Sequence, residues 1–158
     1  MWKKIKPYVI SCLIALAVGG LSAFLSRNGM DYYNEAVNKP ALSPPMWLFP
    51  VVWSILYILM GISSAVIFLK REENPAQAAS ALRIYGLQLV INFFWSIIFF
   101  NLRNYLCAFI WLLLLLFVII IMILQFKKIS TAAAYLQIPY LIWVSFAGYL
   151  TWMVYLLN

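Results

Sequence analysis

At 158 residues, with 66% of them hydrophobic and only 9% charged, the chain has too little polar surface to enclose its apolar content in water, since about a quarter of an ordinary soluble domain is charged. Its net charge of +7 is spread over short connectors, which excludes the contiguous basic patch that nucleic acid requires. The solvent this composition calls for is a lipid bilayer.

A helix needs ~20 mostly apolar residues to cross the ~30 Å hydrocarbon core. Five runs, roughly 7–25, 46–69, 81–101, 105–126 and 131–156, meet that need. They predict an all-α membrane protein: one domain over 1–158, a bundle of five transmembrane helices with a long outer loop at 26–45. The first run opens with the basic "MWKKIK", as a signal peptide does, but its cleavage pattern is weak and it reads as a retained helix. Ala15, Gly19 and Ala23 give it a small-residue face suited to close packing in the bundle or in a dimer.

The approach to the second helix, "NKPALSPPMWLFPVVW", is punctuated by proline. Proline lacks an N–H and fits the first helical turn. Ser43 therefore reads as an N-cap, with Pro44 and Pro45 at the first helical positions and Pro50 deflecting the turns that follow. This holds Trp53 about 10 Å below the outer helix end. Gly61 and Ala65 form a second small face. The connector "KREENPAQAAS" reads as plain and solvated.

The third helix, in "INFFWSIIFFN", carries Asn92 and Trp95 about 9–14 Å below its outer end. In the fifth, Pro139 should leave the Tyr135 carbonyl without its usual partner and bend the helix just before Trp143. Ala147 follows at a depth of about 13 Å. Trp2, Tyr8, Tyr105 and Tyr155 fall near helix ends and read as interfacial anchors.

Basic residues set the orientation. Lys3, Lys4, Lys6, Lys70, Arg71, Arg83, Lys127 and Lys128 fall on one side, against Arg27, Lys39 and Arg103 on the other. The N-terminus is therefore expected in the cytoplasm. The chain has no histidine, the commonest general base and haem or zinc ligand. Its acids, Asp31, Glu35, Glu72 and Glu73, lie in connectors, so the intramembrane carboxylate of a proton-driven transporter is missing. Cys12 and Cys107 show no metal spacing and read as small apolar filler. No metal site, no required cofactor and no conventional catalytic apparatus are expected.

Helical spacing puts Trp53, Tyr57 and Met60 on one face, Asn92, Trp95 and Phe99 on another, and Tyr140, Trp143, Ala147 and Leu150 on a third. Such stripes serve packing more often than ligands. Here they converge at matched depth beneath one loop, which also suits an aromatic-walled cavity for a flat apolar molecule. Asn92 needs a partner in hydrocarbon and should face the bundle or that cavity.

The segments "NKPALSPPMWLFPVVWSILYILMG", "NFFWSIIFFN" and "PYLIWVSFAGYLTWMVYLLN" resemble the TspO/MBR family over nearly the whole chain. These are the tryptophan-rich sensory proteins, related to the mitochondrial translocator protein once called the peripheral benzodiazepine receptor. The resemblance implies a five-helix bundle, a homodimer, and a porphyrin cavity capped by the first loop. Its pocket residues fall on Trp53, Asn92, Trp95, Trp143 and Ala147, with Tyr57 beside them, and its proline motif on Pro40, Pro44 and Pro45. Tyr33 and Leu42 stand where the family carries tryptophans. The C-terminal cholesterol motif of the animal proteins is absent, so sterol binding is not carried over.

The resemblance thus implies a membrane protein for protoporphyrin IX or haem, or another flat apolar molecule, engaged in porphyrin sensing, transport or photo-oxidative degradation. The ring would stack on Trp53, Trp95 and Trp143, with its propionates near Arg27 or Lys39. Light-dependent chemistry would make Trp53 and Trp143 its participants. The alternative is a carrier for a lipid or sterol-like metabolite, or a stress-linked regulatory protein. The expected location is the bacterial plasma membrane.

Overall fold

The computed structural model describes residues 1–158 and consists of helices and short connections. In chain order these are α1 (Trp2–Ala36), α2 (Leu48–Leu69), α3 (Pro75–Ser96) continued by a π turn (Ile97–Asn101), α4 (Tyr105–Lys127), α5 (Thr131–Leu136) and α6 (Ile138–Leu157). Five units are long and apolar enough to span a bilayer, α3 together with its π turn and α5 together with α6 each counting as one.

α1 departs most from expectation. Its 35 residues extend ~52 Å at 1.5 Å per residue, well beyond the ~30 Å hydrocarbon core. The expected loop over 26–45 is therefore mostly helix, and the true connection is 37–47. The polar sequence "SRNGMDYYNEA" lies outside the need for hydrophobicity but keeps a buried stripe, Ser22, Ser26, Gly29 and Tyr33, at three- and four-residue spacing. Gly29 lies against the Phe100 carbonyl so closely that a Cβ would not fit, and the Asn101 amide donates to the Leu25 carbonyl at 2.9 Å. These contacts moor the outer part of α1 to the π turn.

The start of α2 also differs from expectation. Ser43 is not its N-cap. The Ser43 N–H closes a turn onto the Pro40 carbonyl at 3.0 Å, the Leu48 N–H bonds the Pro45 carbonyl at 3.0 Å, and the helix opens at Leu48. A residue preceding proline is pushed away from the helical region, so Pro44 cannot begin a helix and Pro50 alone sits in the first turn. The connection is tied to the far end of α6: the Asn38 N–H donates to the Asn158 side-chain Oδ1 at 3.1 Å, and the Asn158 side-chain amide donates to the Asn38 backbone carbonyl at 2.9 Å.

The connector expected at 70–80 is shorter than its sequence suggested. α3 begins at Pro75, with the Asn74 side chain accepting the Gln77 N–H at 3.3 Å, a cap-plus-proline start. α4 is capped by Asn104 in the same way, after Arg103 turns the chain at a φ of 53°. The last span breaks at Gln137. Its N–H turns back to the Ala134 carbonyl at 3.1 Å, and regular bonding resumes with the Leu141 N–H on the Gln137 carbonyl at 3.1 Å. Pro139, which cannot donate, explains the break.

α1 and α2 form the most extensive helix pair. Gly19 accepts the Tyr57 ring and Gly61 the Cys12 backbone, with no room for a Cβ at either. Gly19 and Gly61 of the small-residue faces thus pack inside the bundle. Met60, Leu112, Ile119, Met122, Phe126 and Val154 are fully buried and form the centre of the core.

Candidate ligand cavity

A cavity of about 500 Å³ lies in the outer half of the bundle, within the ~300–1,000 Å³ typical of small-molecule sites. α1 supplies Ala23, Arg27, Asp31 and Tyr33. α2 supplies Phe49, Pro50, Trp53 and Tyr57. α3 and its π turn give Asn92, Trp95, Phe99 and Phe100, and α6 gives Trp143, Ala147, Leu150 and Thr151. α4 contributes no lining residue and braces α3 and α6 from behind.

Six of the expected site residues, Trp53, Tyr57, Asn92, Trp95, Trp143 and Ala147, line this one volume. Pro40 and Pro44 do not. Pro40 is buried in the connection and Pro44 half-buried, and both shape the chain that brings Met46 and Trp47 to the cavity. The cap is thus the end of α1 together with the last residues of a short connection.

Aromatic contacts set the wall. Trp53 stacks on Tyr57 at 5.7 Å between centroids and meets Tyr140 edge-on at 6.3 Å. Trp95 stacks on Phe99 at 5.2 Å, and Tyr33 leans on Phe99 at 5.4 Å. Phe49 meets Trp143 edge-on at 6.0 Å. Offset and edge-on geometries favour aromatic pairs, and they fix flat faces around the space.

Polar groups are few and mostly committed elsewhere. The Ser22 hydroxyl donates to the Phe93 carbonyl at 2.9 Å and the Thr151 hydroxyl to the Ala147 carbonyl at 2.7 Å, so neither makes the wall polar. The Asn92 side-chain amide donates to the Tyr140 hydroxyl at 3.0 Å, and that hydroxyl donates to the Gln88 side-chain Oε1 at 2.7 Å. The Trp95 and Trp143 indole N–H groups are buried without an acceptor. At the rim, Arg27 and Asp31 stand one helical turn apart on α1. The Arg27 guanidinium lies 4.0 Å from the Phe24 ring centroid and donates to the Phe24 carbonyl at 2.7 Å. Lys39 does not line the cavity; its ammonium donates to the Asn34 carbonyl at 2.8 Å.

Sequence reasoning put Arg27 near the ligand's edge, but missed the rest of the α1 wall and Gln88. The series Gly19, Ala23, Arg27, Met30 and Asn34, spaced by three or four residues, carried the first signal. Gln88, four residues before Asn92 on the same face, carried the second.

Comparison with known proteins accords with this architecture. The TspO/MBR family model matches residues 11–156. The chain is 35% identical to the tryptophan-rich protein TspO of Chlorobaculum tepidum, over 100% of this chain and 99% of that protein. It is 34% identical to protein CrtK of Rhodobacter capsulatus, over 96% and 90% respectively, and 29% identical to the human translocator protein, over 98% and 89%. With its spans, its tryptophan-lined cavity and a match covering nearly its full length, the chain belongs to the TspO/MBR family of membrane proteins.

Proposed function

We propose that this multi-pass membrane protein binds a tetrapyrrole, protoporphyrin IX or haem, in the outer cavity. The observation that carries this reading is the meeting of Trp53, Trp95 and Trp143, from three different helices, around one volume of about 500 Å³. Flat aromatic walls and few polar groups suit a planar apolar macrocycle. Asn92, oriented by Tyr140, supplies a fixed polar contact beside it. Arg27 at the rim suits a carboxylate at the ligand's edge. With no histidine in the chain, the ring would be held by its faces and not through an imidazole–iron bond. The bias of basic residues supports an N-terminus in the cytoplasm, and the membrane of this reading is the bacterial plasma membrane.

The test is a titration of the detergent-purified protein with protoporphyrin IX in the dark, followed by tryptophan quenching and the porphyrin absorbance band. Saturable binding that weakens in Trp53→Ala and Trp143→Ala variants of intact helicity is expected. Binding indifferent to both tryptophans would return the rings to a packing role and favour the carrier reading.

A further inference from the structure

The seam between α2 and α6 is closed by side chains and not by close approach of helices. α2 packs against α1, α3 and α5, and α6 packs against α4, but α2 and α6 make no comparable contact. The break at Gln137 lets α6 leave the line set by α5. On the lipid-facing side this leaves an apolar groove, walled by Val52, Ile55 and Leu56 on α2 and by Ile142, Trp143 and Phe146 on α6. No charged side chain lines it.

Trp143 is the one residue that lines both the groove and the cavity. Its ring rests on Phe49 at 6.0 Å and Phe146 at 5.7 Å, and its buried indole N–H has no acceptor. Trp111 is held differently, its N–H donating to the Ile91 carbonyl at 2.7 Å. Turning Trp143 therefore breaks ring contacts but no hydrogen bond.

We infer that the α2/α6 seam is a lateral portal through which the flat apolar ligand of the cavity passes from the bilayer, with the Trp143 ring as its moving leaf. The inference rests on the reading of the cavity as a ligand site. The occupant is that same ligand in transit, since groove and cavity share a wall. A macrocycle whose charged edge stays level with the outer headgroups can slide sideways into the bundle, its apolar body below. Its carboxylates then reach the level of Arg27 without crossing the hydrocarbon core, where charge is expensive.

Ile142 and Ile55 are 64% and 53% exposed, so tryptophan at either fills the groove without crowding the core. The experiment follows the porphyrin absorbance band after rapid mixing in the dark, with the protein in phosphatidylcholine nanodiscs. Ile142→Trp and Ile55→Trp should slow association and dissociation of protoporphyrin IX together, by about tenfold, with Kd held within about twofold. Leu113→Trp, on the exposed face of α4, should leave both rates unchanged. Groove variants with wild-type rates and wild-type Kd overturn the portal and leave the cavity reading standing. A raised Kd with an unchanged association rate makes the groove part of the bound site and also overturns the portal. Absence of saturable binding in the wild type overturns the cavity reading itself.

Discussion

Tyr140 links two amides of the same helix: its hydroxyl accepts from Asn92 at 3.0 Å and donates to Gln88 at 2.7 Å. Gln88 and Tyr140 are fully buried, so the phenol both satisfies them and fixes which way Asn92 faces. Tyr140→Phe keeps the ring and removes the link. It should destabilise the protein by about 1–3 kcal/mol, the cost of leaving buried polar groups unpaired. Thermal unfolding in detergent measures this, and protoporphyrin affinity should fall with it as Asn92 loses its orientation. An unchanged Tm would mean that the amides find other partners.

Ala147 is 8% exposed and lines the cavity on α6. Ala147→Leu should add bulk to the wall beside Trp143, with protoporphyrin binding about tenfold weaker, equivalent to ~1.4 kcal/mol. Helicity by circular dichroism should be unchanged. Equal affinity would place the ligand elsewhere.

Gly29 and Gly20 lie on α1 in opposite circumstances. A Cβ at Gly29 meets the Phe100 backbone carbonyl, whereas one at Gly20 meets nothing within 4 Å. Gly29→Ala should therefore cost about 1–3 kcal/mol through overpacking. Gly20→Ala should stabilise by roughly 0.5–1 kcal/mol, because alanine loses less backbone freedom in a helix. Opposite shifts in Tm are the expected result.

Arg27 tests the polar edge of the ligand. Arg27→Gln should weaken binding of protoporphyrin IX severalfold at low salt and by less at high salt, since exposed charge pairs are screened. The dimethyl ester, which lacks the carboxylates, should bind both proteins alike. A loss of ester binding equal to that of the free acid would show that Arg27 acts through packing.

Hydropathy made the second and fourth spans legible almost to the residue, because the bilayer imposes it on every turn between Leu48 and Leu69 and between Tyr105 and Lys127. It failed where helix continues beyond the membrane. Residues 26–36 are polar and read as loop, although the buried stripe from Ser22 to Tyr33 kept helical spacing. The same blindness hid the first turns of α3, where Asn74 and Pro75 supplied a start signal that hydropathy does not weigh. Trp53, Asn92, Trp95 and Trp143 were legible because flat or polar groups deep in hydrocarbon are rare and repeat at helical spacing. Arg27 was expected near the ligand only as a loop residue, and Asp31 was not placed at the cavity, because doing so requires knowing that α1 is still a helix when it passes the mouth.

The π turn at Ile97–Asn101 gives the cavity a way to change shape over evolutionary time without substitution of its lining. A π turn holds one residue more than an α turn. Adjacent residues on an α-helix point about 100° apart, yet Phe99 and Phe100 both line the cavity. Deleting one residue here would restore α-helical register and swing one phenylalanine toward lipid, with little change in the span's length. Relatives that differ by a single gap at this place would then differ in pocket shape, even where every pocket residue of their aligned sequences is identical.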